Sequence, residues 1–187
     1  MRAEPGRTIL LTGLPSAGKT TVASAAATLL AAAGTRVEVL DGDVVRHEFW
    51  PELGLSPADR ELNLARIGTL ATLLARNGVV VLVAAIGPFT RARAALRDQH
   101  TGEGIDFSEV YVATPLRTCR ERDVKGLYAR QACGEISGLT GVDAVYEPPL
   151  APDLSIDTSD EPVDVSANRL ARFILESSAT PGEGTIR

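Results

Sequence analysis

The sequence predicts an α/β fold of three layers, α/β/α, in which a mostly parallel sheet is covered by helices on both faces and a long irregular segment is inserted late in the chain. Three observations predict it. Short apolar runs alternate with stretches of helical length from end to end, and strands separated by helices of that size pair in parallel through crossovers. Runs such as RTILLT and VVVLVAAIGP are apolar without polar alternation, as strands buried on both faces must be. The 187 residues are about the size of one domain and enough to bury a core.

In order, RTILLT (residues 7–12) is a short apolar run that stops at Gly13, the pattern of a buried strand. An alanine-rich helix follows from about Lys19 to Ala33 and ends at Gly34, the residue type favoured just past a helix C-terminus. TRVEVLDGD is the second strand, ADRELNLARIGTLATLLARNG a helix again closed by glycine, and VVVLVAAIGP a β-branched strand. FTRARAALRDQH reads as a helix, SEVYVAT as a strand, PLRTCRERD as a short helix, LSIDTS as the last strand and PVDVSANRLARFILES as the closing helix. Residues 125–152, KGLYARQACGEISGLTGVDAVYEPPLAP, break this rhythm with Gly, Pro and Tyr and no sustained period. A long irregular segment in a compact domain is usually a functional lid or disordered, and its mix of aromatic, glycine and charged residues favours a lid. The small, polar ends, residues 1–6 and 177–187, are expected to fray.

A formal charge of −5 and a pI near 5.1 argue against a broad nucleic-acid surface, although a local anion site needs only a few arginines. Cys119 and Cys133 are the only cysteines, too few for a disulfide framework and without metal-ligand spacing, which fits a reducing compartment. The apolar run near the N-terminus is too short for a signal sequence, and nothing approaches a membrane span. The expectation is a cytoplasmic protein with neither nucleic acid nor membrane as partner.

The octet Gly13-Leu-Pro-Ser16-Ala17-Gly18-Lys19-Thr20 matches GxxxxGK[ST] between a predicted strand and a predicted helix, the context the motif requires. Glycines let the backbone wrap a phosphate, successive N–H groups and the helix N-terminus supply partial positive charge, Lys19 adds a full one, and Thr20 can ligate Mg²⁺. LDGD places Asp41 and Asp43, with Arg46 close behind, at the carboxyl edge of the sheet, where open α/β folds bind ligands. A carboxylate there can accept a proton from an attacking hydroxyl or hold the magnesium shell, and an arginine can steady an anionic acceptor. Asp43 is the candidate base. The competing reading is a solvent-facing Asp-Gly turn. Arg60 and Asn63 share a helix face with Ile67 and together are able to grip a phosphate or sulfate group, or to stand as solvated charges. For Arg91, Arg93 and Arg97 a solvated helix face is the better reading.

GLPSAGKTT, LDGDVVRHEF, LGLSPADRELNLARIG and the segment from KGLY to PPLAP, in this order, resemble the adenylylsulfate kinase family, over about residues 7–175. The resemblance implies a P-loop NTPase-type fold, Mg²⁺-ATP as phosphoryl donor, the 3′-hydroxyl of adenosine 5′-phosphosulfate as acceptor, a mobile lid and commonly a homodimer. It places the donor on Gly13, Ser16, Ala17, Gly18, Lys19, Thr20 and Thr21, and Mg²⁺ on Thr20. It implies Asp43 near the acceptor hydroxyl, and Asp41, Arg46, Leu55, Arg60, Asn63, Ile86, Gly87, Lys125 and Leu139 around the acceptor. The chain departs from the family pattern at Val44, Leu55, Ala65, Gly87, Thr90, Ser137 and Leu139, all on the acceptor side. Leu55 and Leu139 stand where two phenylalanines are expected to sandwich the acceptor's adenine. Two further functions stay open on the sequence: a kinase of the same mechanism acting on another nucleoside-like or natural-product alcohol, and a nucleotide-binding regulatory module without an acceptor.

Overall fold

The computed structural model describes residues 6–177. Five strands, β1 (Arg7–Thr12), β2 (Val37–Asp41), β3 (Val80–Ala84), β4 (Asp106–Val112) and β5 (Leu154–Ile156), form one sheet in the spatial order β2-β3-β1-β4-β5. Every pairing is parallel, so each connection crosses over the sheet. The helices are α1 (Lys19–Ala32), α2 (Gly42–Phe49), α3 (Pro57–Ala75), α4 (Thr90–Gly102), α5 (Leu116–Arg122), α6 (Leu127–Ala132) and α7 (Val163–Ser177).

Alternation along β1 divides the core in two, because successive side chains point to opposite faces. Ile9 and Leu11 join Leu82, Val110 and Ile156 beneath the alanine-rich face of α1 and the Leu170–Ile174 face of α7. Leu10 joins Val81 and Val83 beneath Leu64, Ile67 and Ala71 of α3 and Leu96 of α4. Ile9, Leu10 and Leu11 have no exposed surface, each contributing about 1.5–3 kcal/mol by burial. With α1 leaving β1 on one face and α4 leaving β3 on the other, the adjacent carboxyl ends of these strands open a crevice, the usual ligand site of such sheets.

The sequence and the structure part at three places. The LDGD stretch is not a strand ending in a turn: β2 stops at Asp41 and Gly42 starts α2. Asp41 is the cap, its Oδ1 accepting from the N–H groups of Asp43 (2.9 Å) and Val44 (3.2 Å). An eight-residue helix is too short to show a period, and the cap is its only signal. Helix α3 starts at Pro57 rather than Ala58, since Ser56 caps it at the Asp59 N–H and proline suits the first helical position. The segment 125–152 is not wholly irregular, for it contains α6, whose first turn is capped by Asp123 at the Tyr128 and Ala129 N–H groups.

Of the ends expected to fray, residues 1–5 and 178–187 lie outside the described residues. Gly6 donates its N–H to the Ala75 carbonyl at 2.7 Å, and Ser177 closes α7 through the Phe173 carbonyl.

His100 is fully buried between α4 and α3, its Nδ1 donating to the Leu96 carbonyl (2.8 Å) and its Nε2 facing the Thr72 hydroxyl (3.4 Å). Burial pushes its pKa below the ordinary 6.5, only partly opposed by the Leu96 hydrogen bond. The unfolded chain therefore takes up this proton first, so the stability tied to neutral His100 is complete above about pH 6.5 and is lost as the pH falls through it, by at most about 1.4 kcal/mol per pH unit. His100→Gln keeps a donor and an acceptor but does not titrate. Denaturant unfolding should show the stability of the parent relative to this variant shrinking from pH 7 to pH 5. A constant difference would mean that His100 titrates alike folded and unfolded.

Candidate active site

The phosphate loop connects β1 to α1. A Cβ on Gly13 would sit 2.5 Å from the Val112 carbonyl oxygen, and Gly18, the N-cap of α1, has φ 96°, so both positions require glycine. No side chain caps α1, leaving its N-terminal N–H groups and dipole facing the crevice, where an anion fits. The Ala17 carbonyl accepts from Thr114 and Thr158, each at 3.0 Å, which ties the loop to the ends of β4 and β5. Lys19 lies folded over the loop, donating to the carbonyls of Gly13 (3.0 Å) and Leu14 (2.8 Å). Burial pulls its pKa down to about 8 against the raising charges of Asp43 and Asp41. Ser16, Thr20 and Thr21 line the same cleft.

At the foot of α1 the Thr20 hydroxyl donates to Asp41 Oδ2 at 2.5 Å. Asp43, in the first turn of α2, is half-exposed and held between two cations: Lys125 Nζ on Oδ2 at 2.6 Å and Arg46 Nη2 on Oδ1 at 3.4 Å. Partial burial would raise its pKa, but the hydrogen bond and charge of Lys125, with Arg46, outweigh it and hold the carboxyl below the ordinary aspartate range. The Asp43 carboxylate in turn raises the pKa of Lys125 against the effect of burial. Arg46 also reaches the Leu53 carbonyl at 3.4 Å.

One cleft of about 890 Å³ brings these groups together with Leu55, Arg60, Asn63, Ile86, Gly87 and Leu139. Their donors are partly committed. Arg60 donates to the carbonyls of Leu55 (2.7 Å) and Gly138 (2.7 Å) and to the Thr140 hydroxyl, latching the 137–143 turn to α3. Asn63 accepts from the Trp50 indole N–H (2.6 Å) and donates to the Gly42 carbonyl (3.1 Å), which sets α2 against α3. Leu55 is 57 % exposed whereas Leu139 is 6 % exposed and packs in the core beneath the phosphate loop. Among the described residues the lining contains no Phe, Tyr or Trp. Arg93, read in the sequence as part of a solvated face, is instead buried and ion-paired with Glu109 at 2.5 Å.

Sequence reasoning passed over several residues of the site. Arg122 lines the cleft and lies against Thr158, donating to its hydroxyl (2.7 Å) and carbonyl. Thr114 and Thr158 support the loop from strands far apart in the chain, and Tyr128 donates to the Pro15 carbonyl at 3.0 Å. Only the position of Thr114 and Thr158 at the carboxyl ends of the predicted strands SEVYVAT and LSIDTS could have suggested them. Lys19, Arg46, Arg60, Arg122, Lys125 and Arg130 line the cleft against Asp41, Asp43 and Glu161, so an acidic protein presents a cationic crevice that draws in anions.

A family model described as adenylylsulphate kinase matches residues 5–157. A probable adenylyl-sulfate kinase of Synechocystis is 50% identical over 171 residues, 91% of this chain and 94% of the relative. The structure of the Mycobacterium tuberculosis APS kinase CysC in complex with AMPPNP and APS is similar with a TM-score of 0.90 and 44% identity, over 93% of this chain and 99% of that one. A hexameric APS kinase from Thiobacillus denitrificans is similar with a TM-score of 0.69 and 28% identity, over 96% of this chain and 31% of that one.

The position of Lys19 predicts how the affinity for a polyphosphate depends on pH. An incoming phosphate favours the charged lysine, so binding to the empty loop should take up protons near the pKa of about 8. Affinity for an ATP analogue should be level below about pH 8 and weaken above it, by up to about tenfold per pH unit. Titration calorimetry from pH 6.5 to 9.5, in buffers of different ionisation heat, measures both quantities. Level affinity without proton uptake would rule the mechanism out.

Proposed function

The chain belongs to the adenylylsulphate kinase family, and from that premise we propose that its cleft transfers the terminal phosphoryl group of ATP to the 3′-hydroxyl of adenosine 5′-phosphosulfate. The products are 3′-phosphoadenosine 5′-phosphosulfate and ADP. One observation carries the function: an uncapped phosphate loop with Lys19 and a half-exposed carboxylate, Asp43, meet in a single cleft.

In the reaction a bond forms between the acceptor 3′-oxygen and the γ-phosphorus, the bond from that phosphorus to the bridging oxygen breaks, and the hydroxyl proton leaves. Lys19 exchanges its loop carbonyls for β- and γ-phosphate oxygens and, with the α1 N-terminus, offsets their charge. Asp43 orients the hydroxyl and receives its proton. A loose transition state, in which the proton departs late, asks for no strong base. Lys125 moves from Asp43 to the incoming phosphates, freeing the carboxylate. Arg46 and Arg60 face the phosphosulfate, and Asn63, Ile86 and Gly87 border the sugar and base.

The Thr20 hydroxyl and Asp41 carboxylate, 2.5 Å apart at the foot of α1, are the hard oxygen donors that Mg²⁺ prefers, so these residues fit the ion. When bound it would neutralise charge on the β- and γ-phosphates. We assign the chain one domain with its lid over residues 125–152, on the strength of two helix-covered cores sharing one sheet. A reducing, cytoplasmic setting accords with the free thiols of Cys119 and Cys133, and no helix among the described residues is long and apolar enough to cross a membrane. For a homodimer the support is the family resemblance alone.

Asp43→Asn keeps the shape but loses the charge, so kcat with adenosine 5′-phosphosulfate should fall by about 10²-fold or more while ATP affinity holds. Unchanged kcat with a raised acceptor KM would make Asp43 a binding residue. ATP consumption that needs no acceptor would remove the kinase assignment.

Leu55, exposed in the cleft, covers the adenine by apolar contact alone, whereas Leu139 is drawn into the core, so the ring stacking worth about 1–3 kcal/mol per base is missing. Leu55→Phe, at the more exposed of the two positions, should therefore lower the acceptor KM by about tenfold. Lost activity on adenosine 5′-phosphosulfate in that variant would point to a pocket shaped for another alcohol.

A further inference from the structure

The connection from β3 to α4, residues 85–89, borders the acceptor side of the cleft through Ile86, Gly87 and Pro88 and has no helix or strand of its own. Its backbone polar groups, and the Thr90 N–H that opens α4, therefore need partners from elsewhere, and Thr12, Arg93 and Glu147 supply them. The Ile86 carbonyl accepts from the Thr12 hydroxyl (2.5 Å), and the Gly87 carbonyl accepts from Arg93 Nη1 (2.7 Å). The Pro88 carbonyl accepts from the Glu147 N–H (2.8 Å), and the Thr90 N–H donates to Glu147 Oε2 (2.7 Å). Glu147 thus grips both ends of a three-residue stretch, once with its backbone and once with its side chain.

The second of these bonds is a helix cap supplied in trans. The N-cap residue of α4 is Phe89, which has no side chain able to accept a hydrogen bond, and no acid stands in the first turn of that helix. A carboxylate at this position serves both the free N–H and the helix dipole. Beside it, Tyr146 donates to the Thr12 hydroxyl at 3.0 Å while Thr12 passes its own proton to Ile86, and the Tyr146 ring stacks on Tyr111. The last turn of the lid is in this way joined to the acceptor connection, and through Thr12 to the residue before the phosphate loop.

We propose that Glu147 is a positioning residue: by capping α4 from the exit of the lid it fixes residues 85–89, and so sets acceptor affinity without touching the donor. The proposal rests on the function above, in which Ile86 and Gly87 border the acceptor. Glu147 is exposed, so truncating it opens no cavity; besides the cap it removes only a side-chain contact with Thr90 and the attraction of Arg93 and Arg91, of which Glu147→Gln removes the attraction while keeping an acceptor for the cap. Arg93, buried and ion-paired, offers no such clean handle.

Steady-state kinetics on Glu147→Ala and Glu147→Gln, with ATP and adenosine 5′-phosphosulfate varied separately, test it. Loss of the cap in Glu147→Ala should raise the acceptor KM by about five- to tenfold and leave the ATP KM within about twofold, and Glu147→Gln, which can still accept, should recover most of the loss. Both KM values unchanged, both raised alike, or no recovery with Gln would overturn the proposal. Amide exchange at Thr90 in the ligand-free protein is read alongside: faster in Glu147→Ala and near parental in Glu147→Gln supports the cap, and unchanged exchange in Glu147→Ala overturns it. Should the parent not turn over adenosine 5′-phosphosulfate, the function assigned above falls, and the Thr90 exchange decides the cap by itself.

Discussion

The carbonyl oxygen of Ala17, held at 3.0 Å by both Thr114 and Thr158, fixes the phosphate loop to the ends of β4 and β5, and the site is arranged around it. A loop that must present its N–H groups to a ligand has few backbone bonds of its own, so its shape has to be imposed by neighbours. Gly13 packs against Val112, and Thr158 stands 3.3 Å from the position a Gly18 Cβ would take. With the loop fixed, α1 begins at Lys19 with no cap from its own chain, and Thr20 meets Asp41 across the crevice. The phosphate site is preorganised before any phosphate arrives, which is where electrostatic catalysis gains most.

The charges of the same cleft are paired with one another and with the backbone. Lys19 satisfies two loop carbonyls, Lys125 and Arg46 share Asp43, and Arg60 serves the 137–143 turn. These bonds are exchangeable, because phosphate and sulfate oxygens accept from the same donors with a full negative charge. Binding thus replaces one set of hydrogen bonds by a stronger one rather than stripping bare cations. The cationic crevice in a chain of net charge −5 also separates the task of capturing anions from that of staying soluble.

The 125–152 segment is tied down near both ends by tyrosines. Tyr128 bonds the Pro15 carbonyl and Tyr146 bonds Thr12, so both anchors fall on β1 and the loop that follows it. Burial raises the pKa of both phenols, which keeps them neutral donors at any working pH. Between these anchors the segment holds to α3 mainly through Arg60, and it carries Leu139 into the core beneath the phosphate loop. The segment is therefore coupled to the phosphate loop and to the connection after β3, not hung on a free hinge.

Local chemistry made much of this legible. The apolar run of β1 announced a strand buried on both faces, GLPSAGKT announced a phosphate loop in its required context, and glycines marked the helix ends. Gly13 and Lys19 were readable as parts of the loop because the motif itself contains the reason for them, whereas the place of Asp41 as the cap of α2 and partner of Thr20 was not. Helix α2 was not, since eight residues carry no period, nor was the burial of Arg93, which depends on Glu109 from a neighbouring strand. Thr114 and Thr158, 44 residues apart, and the pairs Tyr128 with Pro15 and Glu147 with Thr90 lie beyond any pattern of spacing. The sequence by itself determined the layers, the phosphate loop and the family, because short-range periodicity and motif chemistry act within a few residues along the chain. Tertiary structure alone decided which side chains hold the loop, occupy Asp43 and cap α4, because those contacts exist only once a parallel sheet has brought distant segments to one edge.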